Sequence, residues 1–368
     1  MRSLDQARLL SLVVPFHNEE RHLPKLIESL RSQSADDVPV VFVDNGSTDR
    51  SAALVRACEE VAAGKWTCIE EKRIGKFFAL KTGTAFCVER LGTRCIGFLD
   101  ADTYCADNHW IRHGLTIADA GQREFGYAYS HLLYVGFEHL PVFTMAYRAY
   151  EVALRLLVER VGWFANGNGF LASPAISAQY FERAEVTTEF DLRLSLFALA
   201  EARRAYLNPT PIVASARRIV VNARNFHAWC FYDREFYSKK DINDRKKLNL
   251  NAPSEADDLH PDTVDYFFER RAIKLACRHV IPLAIFDRSS ETIERAGNFL
   301  GTDGLRDVAA PFRRFAWTTD VVLTDRFEAM IEAIERHPAS AAVAGPIEGL
   351  MRDEYARTAA AALGAASR

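Results

Sequence analysis

The first hundred residues alternate between short apolar runs and longer segments in which apolar residues recur every three or four positions. Residues 9–15 ("LLSLVVP") and 38–44 ("VPVVFVD") are apolar runs that predict buried strands. Residues 19–33 carry a single apolar stripe, which predicts an amphipathic helix. The stripe consists of Leu23, Leu26, Ile27 and Leu30. Strands that alternate with helices of this length predict a parallel, Rossmann-like α/β sheet flanked by helices.

The alternation continues and then changes character near residue 125. The further predicted strands are 66–71, 94–102 and 125–137. The further predicted helices are 51–64, 76–92, 142–161 and 189–201. Because residues 125–137 alternate as in a mixed sheet, the sheet is expected to lose its purely parallel character there. Helical segments are predicted again from about residue 263, and the alanine-rich end of the chain is expected to fray.

Three of the predicted strands end at positions that include polar or acidic side chains. These positions are 15–18, 44–45 and 100–102. Ligands of open α/β sheets bind beyond the carboxyl ends of the strands, so the three positions are expected to belong to one site.

Composition narrows the class of protein. The 368 residues predict either one domain with a large extension or two domains, and the net charge of -3 gives no support for a nucleic-acid binder. No run of about 18 apolar residues occurs, which argues against a membrane-spanning helix and leaves peripheral membrane contact open. The seven cysteines include no C-x-x-C pair, which is typical of reduced thiols in a cytoplasmic protein.

Three motifs carry a resemblance to a known family. The segments "VVPFHNEERHLPKLIESLRSQ", "VFVDNGSTDRS" and "GFLDADT" follow one another in the order of the inverting family 2 glycosyltransferases of the GT-A fold. The resemblance covers roughly residues 9–220. It implies a GT-A domain at 1–222, with a nucleotide-binding half to about 125 and an acceptor half at 126–222. A lid or linker at 223–262 and a helical C-terminal region at 263–368 would complete the chain.

The resemblance implies a nucleoside-diphosphate sugar, with UDP or GDP, as the donor. The positions it assigns to nucleotide binding are Pro15, Phe16, His17, Asn18, Glu19, Asp44, Asn45, Arg73, Lys76, Asp100 and Ala101. Asn45 replaces a frequent aspartate of the family, and Lys76 replaces a small residue or proline. Ser47 and Thr48 allow a plainer interpretation as caps of the next helix.

A divalent metal ion is the implied cofactor. Asp100 and Asp102 are alternate carboxylates at a strand end, and Mg²⁺ and Mn²⁺ bind one or two carboxylates together with substrate phosphates. His227 is the weaker candidate for a further metal ligand, although a histidine among aromatic residues also fits ordinary packing.

The acceptor half supplies the predicted chemistry of transfer. In "TTEFDL", Glu189 falls on the position of the family's catalytic base and Asp191 on its second acid, which also fits a capping box with Thr188. The pocket for the sugar and the acceptor is assigned to Trp163, Gly167, Asn168 and Gly169. Arg217 and Arg218 are weaker candidates for phosphate contacts.

The function that the resemblance implies is metal-dependent sugar transfer with inversion to a saccharide, a lipid-linked sugar or a small metabolite. A retaining transferase and a non-catalytic nucleotide-sugar-binding scaffold stay open as alternatives. The segment "GNGFLA" matches a dinucleotide-binding pattern, but the βαβ context that this motif requires is missing from the sequence around it.

Overall fold

The chain forms two compact units in the computed structural model that is described here. The first unit comprises Met1–Tyr134 and Ala165–Ala214, and the second comprises Val135–Phe164 and Ser215–Arg368. The residues that the structure describes are 9–35, 37–121, 124–164, 168–187, 190–201, 203–218, 258–286, 290–313 and 320–366. The predicted division assigned residues 135–164 to the first domain, whereas their contacts group them with the C-terminal helices.

A parallel half-sheet forms the beginning of the first unit. Its strands are β1 (Leu10–Phe16), β2 (Val40–Asp44), β3 (Trp66–Glu70) and β4 (Cys95–Phe98). Strand β1 pairs in parallel with both β2 and β4, and β2 pairs in parallel with β3. All seven residues of β1 are buried, which explains why the strand reads as a continuous apolar run.

The helices of this unit connect the strands. They are α1 (Leu23–Arg31), α2 (Ser51–Arg56), α3 (Glu59–Ala62), α4 (Lys76–Phe86), α5 (Trp110–Gly121), α7 (Pro174–Arg183) and α8 (Phe190–Ala200). The predicted apolar stripe of α1 is buried as expected. The helix predicted at 51–64 is instead two short helices, because Cys58 between them adopts an extended conformation with ψ 135°.

An antiparallel half completes an eight-stranded mixed sheet in the order β3-β2-β1-β4-β7-β6-β8-β5. The added strands are β5 (Thr103–Cys105), β6 (Phe125–Val135), β7 (Phe170–Ala172) and β8 (Arg204–Ser215). Strand β7 pairs antiparallel with β4 and with β6. The predicted α/β class with a mixed sheet is confirmed, but β5, β7 and β8 were not predicted.

The second unit is helical in its described parts, which confirms the predicted helical C-terminal region. Its helices are α6 (Pro141–Val161), α9 (Pro261–Leu275), α10 (Ile281–Phe286), α11 (Ser290–Leu300), α12 (Thr302–Ala309), α13 (Asp320–Leu323), α14 (Arg326–Glu335) and α15 (Ser340–Ala366). Helix α15 packs against α6 and α9 and remains helical to Ala366, although this end was expected to fray. In the described parts of the chain, none of the helices combines the length and apolar character needed to cross a bilayer.

Candidate active site

The predicted site segments of the first unit meet at one edge of the sheet. Phe16 is opposite Asp44 in the pairing of β1 with β2, so these two parallel strands end at the same level. Strand β4 runs parallel to β1 and ends at Phe98, just before Asp100. Because β7 is antiparallel to β4 and pairs Phe170 with Phe98, its start lies beside the end of β4. The structure therefore brings 15–18, 44–45, 100–102 and 168–169 to a common edge.

Asn18 joins the loops that follow β1 and β2. It has a left-handed backbone with φ 54°, and the structure shows no other positive φ at a non-glycine residue among the residues it describes. Its side-chain oxygen accepts from the backbone N–H groups of Thr48 (2.7 Å) and Asp49 (3.3 Å). Its own N–H donates to Ser47 Oγ at 3.1 Å. Ser47 and Thr48 thus tie two loops together, whereas Asp49 Oδ1 accepts from the N–H of Ser51, the first residue of α2, at 2.9 Å.

The residues on either side of Asn18 also hold the loop that follows β1. Pro15 and Phe16 are buried within β1. Glu19 is also buried, and its N–H donates to Ser51 Oγ at 2.7 Å. The His17 ring is 2.8 Å from the carbonyl oxygen of Asn45 through Nδ1. The assignment of these four residues to nucleotide binding stays a prediction, because their contacts show how the loop is held and not what it binds.

Asp44 and Asn45 use their side chains in different ways. Asp44 accepts from the N–H of Ser47 through Oδ1 at 2.9 Å, which turns the chain immediately after β2. Asn45 Nδ2 donates to the carbonyl oxygens of Glu71 (3.0 Å) and Arg73 (2.7 Å). Its Oδ1 accepts from the N–H of Gly75 at 2.8 Å. The amide of Asn45 therefore holds the segment between β3 and α4.

A second set of contacts rigidifies the same segment. Glu71 accepts from the Arg73 guanidinium at 2.9 and 2.8 Å and from the hydroxyl of Thr82 at 2.5 Å. The hydrogen bonds from Arg73, followed by that from Thr82, lower the pKa of Glu71 to about 2. The Arg73 guanidinium also lies 4.7 Å from the ring centroid of Phe78. Arg73 was predicted to belong to the nucleotide-binding positions, and the structure shows it in contact with Glu71 and Phe78.

Asp100 lies two residues after the end of β4 and has a charged partner. Lys76, the first residue of α4, forms an ion pair with Asp100 Oδ1. The Asp100 carbonyl accepts from the N–H and the hydroxyl of Thr103 at 3.1 and 2.6 Å, which closes a turn over Ala101 and Asp102. Ala101 is buried, whereas Asp100 and Asp102 are partly exposed.

The carboxylates of this turn fit the predicted metal ion in type and number. Asp100 and Asp102 supply two carboxylates where the strand opens, which suits Mg²⁺ or Mn²⁺ completed by substrate phosphates and water. Among the described residues, no group of three or more metal-ligating side chains is arranged to hold a metal ion by protein ligands alone. The remaining ligands would have to come from the substrate or solvent.

Three aromatic rings fasten the site segments to one another. The rings of Phe98 and Phe170 stack at 4.6 Å between centroids, and the ring of Phe190 lies 6.2 Å from that of Phe170. Phe98 precedes the turn at residues 100–103, which we call the acidic turn. Phe170 follows Gly169, and Phe190 is the first residue of α8. The N–H of Gly169 also donates to the carbonyl of Phe98 at 3.1 Å. These contacts place the start of α8, and with it Asp191, beside the acidic turn.

The other predicted residues divide between the two units and the undescribed segments. Glu189, Gly167, His227 and most of the predicted lid at 223–262 lie outside the described residues. Asn168 and Gly169 belong to the first unit. Arg217 is half-buried in a short helical turn, Ala216–Arg218, which also contains the backbone of Arg218. Their predicted roles are not tested by these positions.

Trp163 belongs to the second unit, where it is buried at 3% exposure. Its ring lies 6.1 Å from that of His279, whose pKa burial lowers to about 3. The assignment of Trp163 to the sugar and acceptor pocket stays a prediction.

Sequence reasoning missed Glu71, Thr82 and Phe190 as parts of the site. An acidic residue at the end of a predicted strand, near Arg73, was the signal available for Glu71. The contact of Phe190 with Lys76, at 4.9 Å between the ammonium and the ring centroid, had no local signal because the two are far apart in sequence.

Comparison with known proteins identifies the family to which the first third of the chain is similar. Residues 11–128 match the family model described as "Glycosyl transferase family 2". This segment contains β1 to β4 and the acidic turn, so the resemblance to family 2 glycosyltransferases is confirmed where the motifs were found.

Curated relatives match a similar part of the chain. The 4,4'-diaponeurosporenoate glycosyltransferase of Staphylococcus haemolyticus is 28% identical over 147 residues, which cover 38% of this chain and 36% of that protein. Glycosyltransferase AglE of Haloferax volcanii is 28% identical over 116 residues, which cover 30% of this chain and 36% of that protein. The chain therefore spans about a third of the length of these curated relatives.

Among solved structures, one similar chain is the mannosyltransferase PcManGT from Pyrobaculum calidifontis in complex with GDP-Man and Mn²⁺. It is 18% identical, with a TM-score of 0.43, over 90% of this chain and 85% of that chain.

Proposed function

We propose that this chain is a glycosyltransferase that moves a sugar from a nucleoside-diphosphate sugar to an acceptor hydroxyl. The observation that carries the proposal is the convergence of Asp44, Lys76, Asp100 and Asp102 at one sheet edge, within the segment that matches family 2. The aromatic contacts of Phe98, Phe170 and Phe190 add the start of α8 to the same edge. Parallel α/β sheets bind ligands at this edge.

The charges of the site suit a diphosphate leaving group. The first N–H groups of α4 follow Gly75, and helix N-termini attract phosphate. Lys76 adds a positive charge at the same end of the helix. A bound Mg²⁺ or Mn²⁺ would stabilise the negative charge that develops on the departing diphosphate. In the proposed site Asp102 is the principal metal ligand, and Asp100 faces the ribose and sugar as well as the ion.

Removal of one metal-binding carboxylate tests the proposal. We expect the wild-type protein to release nucleoside diphosphate from at least one UDP-sugar or GDP-sugar when Mn²⁺ and a panel of saccharide, lipid-linked and small-metabolite acceptors are supplied. Asp102→Ala should abolish this release and leave the far-ultraviolet circular dichroism unchanged, because Asp102 lies in a turn outside the core. Chromatographic measurement of the released nucleotide makes the comparison.

Asp119→Ala is the matched control, because it removes an exposed carboxylate from α5. Activity equal to wild type in Asp102→Ala would show that Asp102 does not hold the metal. Absence of release from every donor by the wild-type protein would instead favour a non-catalytic scaffold.

For the stereochemical course we propose inversion, with Glu189 as the general base that accepts the acceptor hydroxyl's proton. The support is its place in the sequence directly before Phe190, whose ring lies near Phe170 and near the Lys76 ammonium. Asp191 is the second residue of α8, where an acid also suits the positive end of the helix dipole.

Glu189→Gln distinguishes inversion from retention. In an inverting enzyme we expect turnover to fall by about 10²–10⁴-fold with donor binding unchanged, as is typical for loss of a general base. Turnover by single-turnover quench and donor affinity by calorimetry are the measurements. Asp191→Asn is the control. If Asp191→Asn shows the larger loss, the base is Asp191. If both variants keep near-wild-type turnover, a retaining mechanism is favoured.

A further inference from the structure

Lys76 occupies an unusual place for a positive charge. It is the first residue of α4, an 11-residue helix, and cations near a helix N-terminus are disfavoured by the helix dipole. Its position is maintained by two contacts that lie outside its own helix. Its ammonium pairs with Asp100 Oδ1, and it lies 4.9 Å from the centroid of the Phe190 ring.

These contacts join three segments that are remote in sequence. Lys76 begins α4, Asp100 opens the acidic turn, and Phe190 begins α8. The side chains of Lys76 and Asp100 are 33% and 16% exposed, and Phe190 is buried. Because the pair is partly withdrawn from water, its attraction is screened less than that of a surface ion pair.

The ion pair has a consequence for cations that approach the acidic turn. A divalent ion at Asp100 must share or displace an ammonium that already neutralises much of the carboxylate charge. A diphosphate removes this conflict, because it offers the ammonium new anionic acceptors and offers the metal new oxygen ligands. The two ligands are then coupled, and coupling between binding sites is reciprocal.

We propose, on the basis of the proposed function, that Lys76 is a positioning residue that makes divalent-ion binding depend on the diphosphate. In the ligand-free protein its ammonium weakens the binding of Mn²⁺ or Mg²⁺ at Asp100. When a nucleoside diphosphate binds, the same ammonium interacts with the phosphate oxygens and releases Asp100 to the metal. The site therefore binds the ion tightly only together with its donor.

Binding of Mn²⁺ to the full-length protein without nucleotide gives the first test. Electron paramagnetic resonance of free Mn²⁺ should show weak binding by the wild type. In Lys76→Gln the affinity for Mn²⁺ alone should rise about two- to fivefold, the range expected when a partly exposed ion pair is removed. Lys76→Arg retains the charge and should bind Mn²⁺ within about twofold of wild type.

Binding of the diphosphate without metal gives the second test. In the presence of EDTA, calorimetry with UDP and with GDP should show about two- to fivefold weaker binding by Lys76→Gln than by wild type for whichever nucleotide binds. Lys81→Gln is the matched control, because it removes the same charge from α4 at a half-buried position five residues further on. It should change neither affinity.

The outcomes separate this proposal from the proposed function. Equal or weaker Mn²⁺ binding by Lys76→Gln, with a native circular dichroism spectrum, overturns the proposal even if the protein transfers sugar. Tighter Mn²⁺ binding by Lys76→Gln supports the competition at Asp100. Failure of the wild type to bind either nucleotide with Mn²⁺ present overturns the proposed function, and with it the part of this proposal that involves the diphosphate.

Discussion

At the scale of single residues, Asn45 and Glu71 together hold the segment between β3 and α4. Asn45 donates to two carbonyl oxygens and accepts from the N–H of Gly75. An aspartate, which family 2 often has at this position, would offer only acceptors to those carbonyls. The exchange of acid for amide is thus explained by the contacts of the loop.

The decrease in the free energy of unfolding at acidic pH is predicted to depend on Glu71. Hydrogen bonds, first from Arg73 and then from Thr82, hold its pKa at about 2, below the ordinary value of 4.5. Because the folded-state pKa is the lower one, the carboxylate stabilises the fold above about pH 4.5, and this contribution is lost as the pH falls toward 2. Glu71→Gln should lower the free energy of unfolding at pH 7 by about 1–3 kcal/mol, and by about half as much or less at pH 3.

Urea denaturation at the two pH values measures the difference. Glu70→Gln is the control, since Glu70 is the exposed neighbour in β3 and should change the free energy by less than about 0.5 kcal/mol. An unchanged pH profile in Glu71→Gln would mean that the contacts of Glu71 do not stabilise the protein.

The sequence predicted which residues would gather at the sheet edge but not how they pair. Asp44 and Asp100 were found because polar residues directly after apolar runs are visible locally. The pairing of Lys76 with Asp100 and the bonds of Asn45 to the 71–75 segment depend on the approach of separate loops. Such approaches leave no periodic signal in the chain.

At the scale of elements, long and strongly periodic segments were predicted well. Strands β1 to β4 and helices α1, α4 and α6 lie where the apolar pattern placed them. Strands β5 and β7 have three residues each, too few to show alternation. Strand β8 contains Pro209 and Pro211, which lower the strand signal because proline cannot donate to a sheet.

Gly169 constrains the start of β7, because it immediately precedes Phe170, the first residue of that strand. It has φ +68°, and a Cβ there would lie 2.2 Å from Ile212 Cγ1 in β8. Gly169→Ala should therefore lower the free energy of unfolding by about 2–4 kcal/mol, from backbone strain and overpacking together. Urea denaturation at neutral pH provides the measurement.

Gly64→Ala separates the two contributions to this loss. Gly64 has a similar φ of +71°, but a Cβ there would meet nothing within 4 Å. Its alanine variant should lose only the cost of the left-handed backbone, about 1–2 kcal/mol. If both variants lower the free energy of unfolding by the same amount, overpacking against Ile212 does not contribute to the effect of Gly169→Ala.

At the scale of the whole molecule, the family match and the compact units have different boundaries. The match ends at residue 128, whereas the first unit also includes Ala165–Ala214. Residues 135–164 belong to the second unit through the packing of α6 against α15. Periodicity predicted α6 correctly but gave no information about its partner, because the two helices are separated by most of the C-terminal half.

The identity of the nucleotide base is expected to show as a change in the stability of the whole protein. A ligand that binds only the folded state raises the melting temperature, and a concentration of 100 times its dissociation constant contributes about 2.7 kcal/mol. Asp44 is positioned at the end of β2 by the bond from Ser47 N–H to Oδ1. This bond leaves Oδ2 as the better acceptor for a base.

We therefore predict that UDP with Mn²⁺ raises the melting temperature more than GDP with Mn²⁺. Uracil offers one ring N–H, which suits one carboxylate oxygen, whereas guanine offers two N–H donors that would require both. Differential scanning fluorimetry of the full chain with UDP, GDP, CDP and ADP makes the comparison. Asp44→Asn should lose most of the UDP shift, because an amide has only one acceptor oxygen. If that oxygen keeps the bond from Ser47 N–H, the N–H of the base faces an N–H₂ group, which cannot accept. A larger shift with GDP in the wild type would assign both oxygens of Asp44 to the base and reverse the prediction.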